Sequence, residues 1–200
     1  MPDSSKNSSR KRLVVGMSGA SGAILGIEIL SILHAAPEWE THLVISKGAE
    51  ATIRQETPYQ PEEVKALADA VYAISDIGAA IASGTFRTAG MVIVPCSMKT
   101  VAGVASGYSD NLLLRAADVT IKERRPLVLV ARECPLSPIH LRNLLTLAEL
   151  GAIIMPPMLS YYNHPAAIAD LNRHMVAKIL DRFEVEVSGY QRWGEPGSPA

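Results

Sequence analysis

The sequence predicts an α/β fold: a single domain on a doubly wound parallel sheet, with helices on both faces. Three observations carry this. The chain has 200 residues, the size of one large α/β domain, enough to bury roughly 70% of its unfolded surface without disulfides or a structural metal. Short β-branched apolar runs alternate with longer amphipathic segments, the pattern of βαβ units with a sheet covered on both sides. No internal repeat or interior linker interrupts that alternation.

Taken in order, Leu13, Val14 and Val15 before Gly16 read as the first strand, 18–22 as a loop, and 23–33 as a helix carrying Ile24, Ile27 and Leu30. Residues 41–45 read as the second strand, and 48–56 and 61–73 as helices. The apolar run 91–94, closed by Pro95, reads as a strand; 100–105 and 112–124 read as helices and 127–130 as the next strand. A helix over 137–150, a strand over 152–155 and a long helix over 166–183 complete the pattern. The polar, Ser-rich residues 1–11 and the Gly/Pro/Ser-rich residues 194–200 read as loose tails, which leaves 12–193 as the folded domain.

Composition narrows the function classes. Apolar residues make up 48% and charged residues 20%, against a usual charged share of about 25%. The apolar surplus suits subunit interfaces. A net charge of −1 without a concentrated basic patch disfavours nucleic acid. Cys96 and Cys134, the two cysteines, provide neither a disulfide framework nor a Cys₄ metal site, and read as reduced, buried thiols of a cytoplasmic protein. There is no uncharged apolar run long enough to span a membrane, and residues 1–12 do not read as a secretory leader.

In a parallel sheet of this type, ligands bind beyond the carboxyl ends of the strands. That rule gathers five distant stretches: 18–22, Ser46, 97–100, Arg132 with Glu133, and Tyr161 with Tyr162. The loop 16–22 (GMSGASG) offers three glycines for tight turns and exposed N–H groups. Ser21 can cap the following helix or donate to a phosphate at its positive end. Three glycines and two serines favour phosphate over a simple cap. The Gly-x-x-Gly-x-x-Gly spacing is not the dinucleotide fingerprint. The second strand ends in Ser46 and Lys47, while Glu38 and Glu40 precede it, so no acid stands where a nicotinamide cofactor's ribose needs one. No Gly-Lys-Ser/Thr ending makes it a nucleotide-hydrolysing loop. A mononucleotide such as FMN fits better. The turn 95–103 (PCSMKTVAG) repeats the strand–hydroxyl–helix arrangement; phosphate or flavin contacts from Ser97 and Thr100 and an ordinary capped helix account for it equally.

Lys122 to Arg125 end a helix, where basic residues are commonly just solvated. Arg132 and Glu133 directly follow an apolar strand and should face the rim, Arg132 for bidentate anion recognition and a partly desolvated Glu133 for proton shuttling. Lys178 contributes charge only if its helix reaches a neighbour's site or folds back. His164, between Asn163 and Pro165, reads as a turn residue; His34, His42, His140 and His174 have no metal-ligand spacing. There is no Gly-x-Ser-x-Gly elbow for Ser/His/Asp hydrolysis.

The stretches GMSGASG (16–22), SK with ET (46–47 and 56–57), SGTF (83–86), PCSMKT (95–100), RAADVTIKERRPLVLVARE (115–133), SPIHL (137–141), MPP (155–157) with YYNHP (161–165), and RW (192–193) together resemble the flavin prenyltransferase family, long labelled aromatic-acid decarboxylases. The resemblance covers nearly all of 12–193, and the wording of 91–107 and 156–165 is especially like members associated with phenolic-acid decarboxylases. It implies a Rossmann-like fold of flavoprotein type and a metal-independent enzyme. Reduced FMN would attack dimethylallyl phosphate through N5 and then C6, and the prenylated FMN would pass to a separate UbiD-type aromatic-acid decarboxylase. Residue by residue, Ala20, Ser21, Gly22, Ser46, Ser97, Met98, Lys99, Thr100 and Arg132 match FMN-binding positions. Tyr162 and Lys178 match positions that hold dimethylallyl phosphate, and Arg115 and Trp193 match site-lining ones. Ser21, Lys122 and Glu133 match groups around the phosphate, and Glu56 a second acid near the chemistry. The resemblance also implies a dodecamer; if Lys178 and Trp193 reach the site, a subunit boundary is the route. Lys178 stands where several relatives carry Arg, which keeps the charge but loses the bidentate fork. A flavin-dependent decarboxylase of the cysteine-decarboxylase type is the alternative. It would need an early active-site His and a Pro-x-Met-Asn-x-x-Met-Trp stretch, which residues 156–159 do not supply. A non-catalytic flavin carrier is a third reading, which leaves Glu133, Lys122 and Tyr162 idle.

Overall fold

The computed structural model describes residues 10–190 and 192–194. Its centre is one six-stranded sheet: β1 (Lys11–Met17), β2 (Trp39–Ile45), β3 (Ala70–Tyr72), β4 (Gly90–Cys96), β5 (Leu127–Ala131) and β6 (Ile153–Ile154). The order is β3-β2-β1-β4-β5-β6 and every pair is parallel, which is the doubly wound topology that the alternating pattern predicts. The helices are α1 (Ala23–His34), α2 (Lys47–Glu56), α3 (Pro61–Lys65), α4 (Met98–Ala105), α5 (Leu112–Lys122), α6 (Pro138–Glu149) and α7 (Ile168–Leu180).

The two-residue period of the strands divides the core. Leu13, Val15, Met17, Val92, Val94, Val128 and Val130 face α1 and α7, whereas Val14, Met91, Ile93, Leu127 and Leu129 face α4, α5 and α6. On the first side α1 lies so close that a Cβ on Gly26 would stand 2.7 Å from the Val94 carbonyl oxygen and 2.8 Å from Met17 Cε.

Several boundaries differ from the sequence expectation. The helix expected over 61–73 stops at Lys65, and Ala70–Tyr72 form the edge strand β3 instead. Helix propensity in this Ala-rich stretch yields to tertiary pairing: Leu43 aligns with Val71, and the Asp69 carboxylate accepts from Thr41 N (2.8 Å) and Thr41 Oγ1 (3.1 Å). Pro95 does not close its strand; β4 runs on to Cys96, with the β5 register shifting between Ile93 and Cys96. The helix expected to end at 124 ends at Lys122, with Arg124 at φ +57°. The last helix starts at Ile168 rather than 166, because the Asp170 carboxylate accepts from the N–H groups of Ala166 and Ala167. The loose tail 1–11 is too long by at least two residues: Lys11 opens β1, and Arg10 pairs with Asp69 at 2.7 Å. The rest of that tail, 1–9, and residues 195–200 of the other lie outside the described residues. No helix among the described residues is long and apolar enough to cross a membrane.

Candidate active site

The chain winds in opposite directions from the neighbouring strands β1 and β4, and a crevice opens beyond their carboxyl ends. It is a cavity of about 430 Å³, with Ser18 and Gly19 after β1, Ser46 and Lys47 after β2, and Ser97, Lys99 and Thr100 after β4. Asn111, Leu113 and Leu114 from the start of α5 and Ile74 form the opposite wall. Ser46 caps α2 by accepting from Ala49 N at 3.1 Å, and Ser97 caps α4 by accepting from Thr100 N at 3.4 Å. Two helix N-termini therefore line one cavity, where backbone dipoles and N–H groups favour an anion. Ser18, almost fully buried, ties the loops together: its hydroxyl donates to the Pro95 carbonyl (3.1 Å) and accepts from Ser97 N (2.8 Å). Gly19 and Gly48 bring the β1 and β2 loops into backbone contact; a Cβ on either would stand 3.0–3.1 Å from the other's Cα.

A larger cleft of about 530 Å³ lies at the amino end of the sheet. Four of its five cations are already paired, Arg10 with Asp69, Lys11 with Glu184, Arg12 with Glu40 and Arg182 with Asp181, so its charge is largely spent.

The N-terminus of α1 is arranged differently from expectation. Gly22, at φ +105°, is the N-cap, and Ser21 makes no capping bond. The place of a phosphate or a Ser21 cap is taken by Glu56 Oε2, which accepts from Gly22 N at 2.8 Å and Ala23 N at 3.4 Å. Partial burial works against a charge on Glu56. The Ser21 hydroxyl, the two N–H groups and the Arg132 guanidinium outweigh it and hold the carboxyl below its ordinary value. Ala20, Ser21, Gly22, Glu56 and Arg132 thus form one rim beside the cavity. Arg132 N donates to the Cys96 carbonyl at 3.0 Å, joining β5 to β4 there. Met98 is buried under this edge as the first residue of α4.

Other expected site residues are not part of this cluster within one chain. Glu133 follows β5 at the rim but is exposed rather than partly desolvated, accepting from Cys134 N at 3.0 Å. Cys134 is likewise exposed, contrary to its reading as buried, whereas Cys96 is fully buried, which pushes its thiol pKa up. Lys122 ends α5, just before the start of β5, and so lies at the amino end of the sheet. Its ammonium pairs with Glu123, beside Gly84 of the SGTF stretch, whose carbonyl accepts from Arg125 Nη2 at 2.6 Å. Arg115 pairs with Asp118 at 2.8 Å on the same helix. Tyr162 contacts His174 and Trp193 over α7, and Lys178 is exposed one turn beyond His174. Ser18 lines the cavity as the rim rule expects, whereas Asn111, Leu113 and Leu114 line it without having been singled out in the sequence as binding residues. An Asn ahead of the run Leu112–Leu114 is a readable helix start, but nothing local says that this start faces the first loop.

The family model described as Flavoprotein matches residues 1–184. Flavin prenyltransferase LpdB of Lactiplantibacillus plantarum is 56% identical over 183 residues, covering 92% of this chain and 98% of its own. The chain belongs to the flavin prenyltransferase family. Two solved structures from this family superpose closely. A dodecameric FMN-dependent UbiX-like decarboxylase of Escherichia coli O157:H7 is 52% identical with a TM-score of 0.90, covering 92% of this chain and 100% of the other. AnUbiX in complex with FMN and dimethylallyl pyrophosphate is 52% identical with a TM-score of 0.91, covering 93% of this chain and 98% of the other. Both structures thus share the fold of this chain.

Proposed function

We propose that this chain is a metal-independent prenyltransferase that joins the dimethylallyl group of dimethylallyl phosphate to N5 and C6 of reduced FMN, and that the prenylated FMN serves a separate UbiD-type decarboxylase. The observation that carries this reading is the 430 Å³ cavity between two serine-capped helix N-termini. Its hydroxyls and N–H groups suit a phosphate, and Ile74, Leu113 and Leu114 give a flat ring an apolar wall. When bound, reduced FMN supplies the nucleophilic N5 and C6. The chain supplies orientation and charge. Ser46, Ser97, Thr100, the Ala20–Gly22 loop and Arg132 hold the flavin, with the N–H groups of Met98 and Lys99.

Breaking the allyl C–O bond leaves negative charge on phosphate. Lys122, Lys178, Arg115, the Tyr162 hydroxyl and the Ser21 hydroxyl stabilise it as it leaves. Glu133 would carry the protons: one to the departing phosphate against the one that N5 gives up as the carbon–nitrogen bond forms, and one to the prenyl double bond against the one that C6 gives up as the carbon–carbon bond closes the ring, with Glu56 as the second carboxylate at the rim. The Trp193 face shelters the allyl cation. These groups lie on different faces of one chain, so the reading needs an oligomer to join them. The exposed side chains of Ile139, Leu141 and Leu145 on α6, with Met158, Leu159 and Tyr161, supply apolar surface for a homododecamer like that of the E. coli relative. Anaerobic incubation with reduced FMN and dimethylallyl phosphate tests the function by mass spectrometry. The flavin should gain one prenyl unit; an unchanged flavin, or carbon dioxide released from a supplied aromatic acid, overturns it.

A further inference from the structure

Tyr162 is held between two rings, and a third packs behind one of them. Trp193 meets Tyr162 edge-on at 5.4 Å between centroids, His174 meets it edge-on at 5.4 Å, and Tyr190 lies 5.3 Å from His174. His174, on α7, is 6% exposed, and its Nε2 stands 3.1 Å from the Tyr162 hydroxyl oxygen. The placement raises a question of proton direction. A tyrosine hydroxyl has one hydrogen and otherwise accepts. If that hydrogen is spent on Nε2, Tyr162 turns only lone pairs to a phosphate and repels it. If Nε2 carries the hydrogen, the phenol accepts from histidine and its own proton is free.

We infer that His174 is a positioning residue for prenyl transfer: by donating from Nε2–H to the Tyr162 oxygen, it turns the Tyr162 proton toward a phosphate oxygen of the allyl substrate. The inference rests on the reading of Tyr162 as a phosphate ligand. Burial, and then the Lys178 ammonium one turn away, push the His174 pKa down. The ring is therefore neutral near pH 7 and has a single N–H to place. A hydroxyl that accepts one hydrogen bond also donates more strongly into the next. No bond is made or broken here; His174 fixes which way a proton points.

Three substitutions separate this role from simple packing. Gln places an amide nitrogen where Nε2 was, Asn places one where Nδ1 was, and Phe keeps the ring without a donor. His174→Gln should hold KM for dimethylallyl phosphate within about threefold of the wild type. His174→Asn and His174→Phe should raise it about tenfold, with FMN affinity unchanged. Tyr162→Phe should raise the same KM, and adding His174→Phe to it should cost nothing further. If Tyr162→Phe leaves KM unchanged, the reading of Tyr162 as a phosphate ligand fails. If Tyr162→Phe raises KM and His174→Phe does not, that reading stands and the role of His174 is overturned. It is overturned as well if Gln is as damaging as Phe. Should the 174 variants not fold, solid-state NMR of the wild-type protein with ¹⁵N-labelled histidine decides: a protonated Nε2 facing Tyr162 supports the role, and a protonated Nδ1 removes it.

Discussion

The backbone N–H of Gly22 donates to Glu56 Oε2 across 2.8 Å. A carboxylate from the end of α2 thereby caps α1, where the sequence suggested Ser21 or a phosphate. Glu56→Gln keeps an acceptor oxygen but removes the charge that faces the helix dipole. It should lower stability by about 0.5–1 kcal/mol at pH 7, the usual worth of a charge at an exposed helix end. The sign with pH follows from the lowered pKa of Glu56. The contribution is fully present above its unfolded value of about 4.3 and is lost as pH falls through the lower folded value. Thermal melts of wild type and variant should differ at pH 7 and converge below about pH 4. A gap that persists at low pH would show that charge is not the cause.

The contact of Gly19 with Gly48 closes one side of the cavity mouth. A Cβ on Gly48 would lie 3.1 Å from Gly19 Cα, and backbone cannot swing aside as a side-chain end can. Gly48→Val should therefore displace the β1 and β2 loops and weaken FMN binding by about tenfold or more, while the sheet, which does not depend on this contact, persists. Fluorescence titration with FMN, alongside circular dichroism, measures both. Unchanged FMN affinity would place the flavin elsewhere.

These two contacts show where sequence reading reached and where it stopped. The apolar runs 13–15, 91–94 and 127–130 are legible as buried parallel strands, because each is β-branched or leucine-rich on both faces. Ser97 is legible as a cap, and Ser46 as a rim residue, from their places after a strand. The edge strand Ala70–Tyr72 is not, since its Ala-rich sequence favours helix locally and only pairing with β2 decides. The same holds for Glu56: its spacing within α2 does not reveal that the next turn ends beside Gly22. Contacts made by the crossing of two elements are absent from either element's own pattern.

His42 sits in β2, 2% exposed, with Nδ1 2.9 Å from the Tyr72 hydroxyl and the Phe86 ring edge-on at 5.1 Å. Glu40 Oε1 approaches Nε2 at 3.1 Å without a hydrogen bond in line. Desolvation is the largest influence and lowers the pKa; Glu40 opposes it and Arg12 supports it. The unfolded chain therefore takes up a proton before the folded one does. Stability from keeping His42 neutral is complete above about pH 6.5 and declines as pH falls through the lower folded value. His174 shifts in the same direction, so the wild-type melting temperature should drop between pH 7 and pH 5 by the sum of both. His42→Gln should be less stable at pH 7 but show a shallower drop. A slope equal to the wild type's would assign the pH dependence to other groups.

Lys122 and Glu133 lie at opposite ends of β5, one before Leu127 and the other after Ala131. Five residues of strand separate them by roughly 16 Å, too far for both to serve one phosphate from the same chain. Shared chemistry then requires Lys122 of one protomer beside Glu133 of another. Lys122→Ala and Glu133→Gln should each bind FMN yet stall turnover. Co-assembled at equal amounts, the two variants should recover about a quarter of the wild-type rate, because a site drawing one residue from each of two randomly chosen protomers is intact that often. Leu145→Glu, which puts a charge on the exposed apolar face of α6, should break the assembly by light scattering and abolish that recovery. Mixed assemblies that stay inactive, or a monomer that turns over at the full rate, would mean that each chain carries a complete site.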